Sequence, residues 1–159
     1  FSSEVDLAEA EEAILENMED ENWYTLESRY CMVVLAARQK HLARARELVD
    51  QLFKTNIPSQ SRVVQIVRLM AEAELLQAEQ RWDEAIAAYQ ELIAIYETEG
   101  YYWRQARFLL EMGNCYAHRN HPGDSDRARA AYQQSLEMFT EMGATGFMQV
   151  LEERLGRHE

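Results

Sequence analysis

The chain has 159 residues, with 28 acidic and 16 basic side chains and a net charge of −12. This length suits one domain with a real core, and the negative charge argues against the broad basic surface that nucleic-acid binding requires. No stretch approaches the ~20 apolar residues of a membrane span. With only 6 glycines and 2 prolines among many good helix formers, the composition predicts helices rather than strands.

Residues 1–22 are predicted to form an acidic N-terminal helix. Leu7, Ile14, Leu15 and Met18 recur at helical spacing, and Ser3 suits the N-cap. Nine acids and no Lys or Arg fall in this segment, so the rest of the chain carries only −3. Such a charge run is typical of a solvated helix face, and the alternative is a surface that attracts a basic partner.

Seven further helices are predicted in chain order. They span about 23–38, 41–54, a stretch that starts near Pro58, 81–98, 102–119, 124–142 and 145–155. Pro58 suits a first turn, where its missing N–H costs nothing. Gly100 and Gly143 suit helix ends, and Asp124 or Ser125 suits the N-cap of the seventh helix. Short connections predict antiparallel neighbours, so the second to seventh helices form three hairpins.

A short word recurs in the second helices of these hairpins. "AIAAYQ" at 85–90 returns as "ARAAYQ" at 128–133, 43 positions later. The three hairpins align on Ala45, Ala85 and Ala128, and a large apolar residue follows each after four positions: Val49, Tyr89 and Tyr132. A small residue there lets two helices approach closely. A repeated unit that cannot bury its own face predicts stacking.

The repeated pattern resembles the tetratricopeptide repeat, a helix pair with small residues at the helix crossing. The third copy, "LLEMGNCY", carries Leu109, Gly113 and Tyr116 before Ala128 and Tyr132. The second copy carries Leu69, Ala73, Leu76, Trp82, Ala85 and Tyr89, and the degenerate first copy carries Val33, Ala36, Leu42, Ala45 and Val49. The repeats of 40 and 43 residues exceed the usual ~34, which is similar to the long-repeat arrays of bacterial signalling and transcription regulators.

The resemblance implies an all-α α-solenoid that forms a single domain over residues 1–159. Three helix-pair repeats are expected over 23–142, between the acidic helix 1–22 and a capping helix within 143–159. Because the sequence begins with Phe1 rather than Met, we expect it to be a piece of a larger protein.

The implied function is binding of a protein or peptide partner along the concave face, as stacked hairpins curve into such a face. The family's inward positions correspond to Glu27, Tyr30, Val34, Arg38, Val67, Met70, Glu74, Gln77, Arg107, Leu110, Asn114 and His118. This set has no lysine, so it does not match the basic surface by which chaperone-binding members hold a C-terminal carboxylate. The partner could be another domain of the same protein, and self-association stays open. The alternative is an effector-sensing domain that controls an adjoining ATPase, kinase, cyclase or DNA-binding module.

No catalytic motif is present, so the sequence predicts a protein that is not an enzyme and needs no cofactor. Cys115, His118 and His121 supply two or three of the four ligands that zinc usually requires, so no metal site is predicted. Cys31 and Cys115 lie in no motif, which fits a reducing compartment and a cytoplasmic protein.

The aromatic residues allow two interpretations. "NWY" at 22–24 and "GYYW" at 100–103 each open the first helix of a hairpin. Packing between repeats is favoured over an exposed platform for a ligand. Trp82 is expected in the core, together with Tyr89 and Tyr132, whereas the polar ends of Arg38, Glu74, Arg107 and Asn114 are expected to be reachable from the groove.

Overall fold

The computed structural model describes residues 23–52 and 61–156, and every regular element within them is a helix. The helices are α1 (Trp23–Arg38), α2 (Leu42–Leu52), α3 (Arg62–Ala78), α4 (Trp82–Glu99), α5 (Tyr102–Arg119), α6 (Asp124–Glu141) and α7 (Thr145–Leu155). The prediction of an all-α fold is confirmed for these residues. The predicted acidic helix within 1–22 and the predicted role of Pro58 lie outside the described residues.

The helix ends follow from local backbone preferences. Gly100 ends α4 in the left-handed region with φ of 74°, as predicted for a C-terminal glycine. Asn120 ends α5 at φ of 54°, a conformation that asparagine tolerates better than most residues. Gly123, rather than Asp124 or Ser125, takes the N-cap position of α6, and Asp124 stands in the first turn. The predicted bounds of α5 and α7 match the structure.

The chain divides into two compact units, which are residues 1–80 and residues 81–159. In the first unit, α1 packs against both α2 and α3, and α2 also contacts α3. Their shared core is made of buried aliphatic residues at helical spacing, among them Leu26, Val33, Ala36, Ala45, Leu48, Val49, Val67 and Leu75. This apolar cluster positions the three helices, since burial of such side chains is the main stabilising term.

In the second unit, α5 packs against α4 and α6, and α7 packs against α6. The predicted first and third hairpins, α1–α2 and α5–α6, are therefore packed pairs. The predicted second hairpin, α3–α4, would join the two units and stays a prediction. The three aligned alanines, Ala45, Ala85 and Ala128, are all buried.

Glycine at position 113 lets α5 and α6 approach closely. A Cβ at Gly113 would lie 2.5 Å from Cε1 and 2.7 Å from Cδ1 of the Tyr132 ring, too close for either group to stay in place. Beside this contact, the Ser135 hydroxyl donates a buried hydrogen bond of 2.8 Å to the Ala106 carbonyl oxygen. Apolar contact and hydrogen bonding together fix how α6 lies on α5.

Candidate binding site

A row of polar side chains runs along one face of α5. Arg107, Glu111 and Asn114 follow one another at steps of four and three, which places them on the same side of the helix. The Arg107 guanidinium lies 3.3 Å from a Glu111 carboxylate oxygen. The Asn114 amide Nδ2 donates to the other Glu111 oxygen at 3.1 Å. The row is therefore ordered by its own hydrogen bonds before any ligand arrives.

Tyr132 connects this row to α6. Its hydroxyl donates to Asn114 Oδ1 at 3.0 Å, while its ring packs against Gly113. Burial raises the pKa of the Tyr132 phenol, the carboxylate of Glu111 acts in the same direction, and Arg154 opposes them. The hydroxyl is therefore a hydrogen-bond donor at neutral pH, and its hydrogen bond holds Asn114 in one orientation.

A pocket of about 220 Å³ adjoins Tyr132 in the second unit. It lies where the C-terminal half of α5, the N-terminal half of α6 and the C-terminal end of α7 meet. Its walls are Tyr116, Ala117, Asn120, Ser125, Ala128, Arg129, Tyr132, Arg154 and Leu155. A volume near 200 Å³ is below that of a typical drug-sized site, so the pocket fits one side chain or a small molecule.

A buried ion pair orders the turn at the edge of this pocket. Arg119 donates two hydrogen bonds of 2.8 Å to the two carboxylate oxygens of Asp124, which is fully buried. Arg119 also pairs with Asp83. Arg127 donates to Asp124 at 3.1 Å, and the backbone N–H of His121 donates to it at 3.0 Å. Hydrogen bonding from Arg119 holds the pKa of Asp124 well below its usual range.

Tyr116 stands between this ion pair and the pocket. The guanidinium carbons of Arg119 and Arg127 lie 5.3 and 6.0 Å from the centre of its ring. Both distances are within cation–π range. The two arginines that meet Asp124 thus also fix the aromatic wall of the pocket.

The predicted ligand-facing residues fall into two groups. Arg38 and His118 are exposed, and Glu27, Tyr30, Val34, Gln77, Arg107 and Asn114 are half-buried. Val67, Met70, Glu74 and Leu110 are buried, contrary to a ligand-facing position. The physical reason is clear for Val67, which belongs to the aliphatic core of the first unit. A ligand role for the other eight residues stays a prediction.

The structure brings together only some of the predicted ligand-facing residues of α5. Arg107 and Asn114 meet through Glu111, which the sequence reasoning did not select. His118 stacks on Trp82 with ring centroids 5.3 Å apart. Trp82 is half-buried rather than a core residue, whereas Tyr89 and Tyr132 are buried as predicted.

The "GYYW" stretch is more exposed than the packing interpretation expects. Tyr101 and Tyr102 are 62% and 61% exposed. Trp103 makes an edge contact with Phe147, with ring centroids 5.9 Å apart, and Phe147 stacks on Phe139. Packing therefore accounts for one side of Trp103 and leaves most of the two tyrosines at the surface.

Neither metal chemistry nor a membrane span has support in the described part of the chain. No group of three or more His, Cys, Asp or Glu side chains there could hold a metal ion. Cys115 is a buried free thiol, and Cys31 is exposed. Among residues 23–52 and 61–156, no helix combines the length and apolar character needed to cross a bilayer.

Comparison with known proteins adds no relative: no family model, no curated protein and no solved structure matches this chain. The candidate pocket is therefore supported by its geometry alone. Sequence reasoning missed Arg129 and Arg154 because they lie on different helices and share no spacing rule. The repeat word around Tyr132 was visible, but its hydroxyl contact with Asn114 was not.

Proposed function

We propose that this chain is a tetratricopeptide-like helical array that binds a protein or peptide partner. The observation that carries the proposal is the ordered polar row Arg107–Glu111–Asn114, which leads through Tyr132 into a pocket. Polar groups fixed in advance lower the entropy cost of binding. An extended peptide that follows α5 would meet polar groups first and then place one side chain or its end in the pocket.

The packing of two helix hairpins supports the proposal of a helical array. The α5–α6 hairpin carries a close Gly113–Tyr132 contact, and the α1–α2 hairpin packs through buried Ala36, Ala45 and Val49. Repeat proteins use such hairpins as rigid carriers for a variable binding surface.

An effector-sensing domain is the second candidate function. A pocket of about 220 Å³ at the junction of three helices could also enclose a small molecule. Occupation of such a junction would favour one packing of α7 on α6 and so could be transmitted to an adjoining module. Under this proposal the ligand is a free small molecule rather than a peptide.

A displayed library of random peptides tests the first proposal with the full chain as target. We expect enriched peptides whose affinity falls about tenfold or more in Ala117→Trp, because the indole fills the pocket from an exposed position on α5. The matched control is Ala130→Trp, an equal enlargement at an exposed position of α6 that does not line the pocket.

Circular dichroism melting of both variants checks that each retains its fold. Failure to enrich any peptide would contradict the peptide-binding proposal. Enriched peptides that bind Ala117→Trp and the wild-type chain equally would place the binding surface elsewhere.

A further inference from the structure

Two arginines on different helices line the pocket without an ion-pair partner in the described part of the chain. Arg129 lies on α6 and Arg154 lies in the last turn of α7. Arg119 and Arg127 nearby differ from them, because both are engaged by Asp124. The pocket thus has two guanidinium groups that no described acid meets in an ion pair.

The other residues that line the pocket suit a small molecule with one charged end. Asn120 and Ser125 add polar groups, whereas Ala117, Ala128 and Leu155 are apolar. Arg154 is also close enough to Tyr132 to act on its phenol electrostatically. One end of a small molecule could therefore meet guanidinium groups while the rest contacts apolar side chains.

We propose that the pocket between α5, α6 and α7 binds a carboxylate, held by Arg129 and Arg154. The planar guanidinium matches a carboxylate with two parallel hydrogen bonds. A doubly charged phosphate is less suitable, because Glu111 lies one hydrogen-bonded residue beyond Tyr132 and would repel the extra charge. The proposal deepens the proposed function and rests on it.

Three probes test the carboxylate: N-acetyl-trialanine with a free C-terminus, the same peptide as its C-terminal amide, and sodium butyrate. Each is titrated into the full chain while backbone amide signals are followed by NMR. We expect the free-acid peptide or butyrate to shift the signals of Ala117 and Ala128, and the amide peptide to leave them unchanged.

Matched variants assign the effect to the two arginines. Arg129→Gln and Arg154→Gln should each weaken binding of the carboxylate probe about tenfold, as expected for loss of a charged hydrogen bond. Arg68→Gln, which removes an exposed arginine from α3, should leave the affinity unchanged.

The two sources of a carboxylate give different results. Tighter binding of the free-acid peptide than of butyrate indicates a peptide C-terminus, and equal binding indicates a free small acid. Equal binding of the acid and amide peptides overturns the proposal of a carboxylate ligand. Unchanged affinity of the carboxylate probe in both arginine variants overturns it as well. No binding of any probe also overturns it. The displayed-peptide selection decides the peptide-binding function separately, since it does not require a carboxylate.

Discussion

The α1–α2 and α5–α6 hairpins are packed through different kinds of side chains. In the first hairpin, buried Val33, Ala36, Leu48 and Val49 form part of an aliphatic core. In the second, Tyr132 lies against Gly113 and donates a hydrogen bond to Asn114, and Ser135 bonds to the backbone of α5. Burial of aliphatic side chains therefore contributes to the first helix pair, and directed polar contacts contribute to the second.

The two turns also differ in the contacts that hold them. The α1–α2 turn places Lys40 at φ of 62° and closes with a backbone hydrogen bond of 2.9 Å from the His41 N–H to the Ala36 oxygen. The α5–α6 turn is organised by the buried carboxylate of Asp124, which accepts from Arg119, Arg127 and the backbone of His121. The two turns are therefore held by different contacts, and the candidate site lies on the α5–α6 hairpin.

The largest expected effect comes from removing the charge at the α5–α6 turn. Asp124→Asn leaves Arg119 with a poorer partner in a buried place, which is the costly way to break an ion pair. We expect the thermal midpoint at pH 7 to fall by roughly 10 °C. Asp50→Asn, an exposed change on α2 of the other hairpin, should have little effect.

The pH dependence of this difference gives a second measurement. The pKa of Asp124 is lowered in the folded protein, so its contribution is present above the unfolded value of about 3.9 and is lost as the pH falls below it. The difference in thermal midpoint between wild type and Asp124→Asn should narrow below about pH 4. A gap that is equal at pH 7 and pH 3 would contradict the assigned ion pair.

The next effect tests the close approach that distinguishes the second hairpin. Gly113→Ala should lower the free energy of unfolding by about 1–3 kcal/mol, because the new methyl group meets the buried Tyr132 ring. Gly146→Ala is the matched change in α7, where nothing lies within 4 Å of the added Cβ. It should stabilise the protein by about 0.5–1 kcal/mol through helix propensity.

Urea unfolding of the two glycine variants measures both changes. Equal stabilisation by the two alanines would mean that the Tyr132 ring moves aside without cost. The packing of α6 on α5 would then tolerate a methyl group at position 113.

The sequence was sufficient for helices whose signals are local. The bounds of α5 and α7 and the ending of α4 at Gly100 follow from periodicity and backbone preference. The position of Leu110 did not follow, because its spacing from Arg107 predicts a ligand-facing side chain while tertiary packing buries it. Arg129 and Arg154 line one pocket only because α7 packs on α6, which no spacing within one helix encodes.

The smallest expected effect comes from removing the hydroxyl oxygen of Tyr132 on α6. Tyr132→Phe keeps the ring that packs on Gly113 but deletes the hydrogen bond to Asn114 Oδ1. The position then resembles the apolar Val49 of the first hairpin. We expect the free energy of unfolding at pH 7 to fall by about 0.5–1.5 kcal/mol, since a half-buried amide oxygen loses its donor.

Alkaline pH distinguishes this hydrogen bond from simple packing. The pKa of Tyr132 is raised by burial, so the folded state resists ionisation more than the unfolded chain does. Stability from this group is therefore present below the unfolded value of about 10 and is lost as the pH rises above it. Tyr132→Phe should lose less stability than wild type between about pH 9 and 11, whereas Tyr102→Phe, the same change at an exposed position, should follow wild type. Parallel alkaline profiles for wild type and Tyr132→Phe would show that the hydroxyl is solvated, and the polar row would then lack its link to α6.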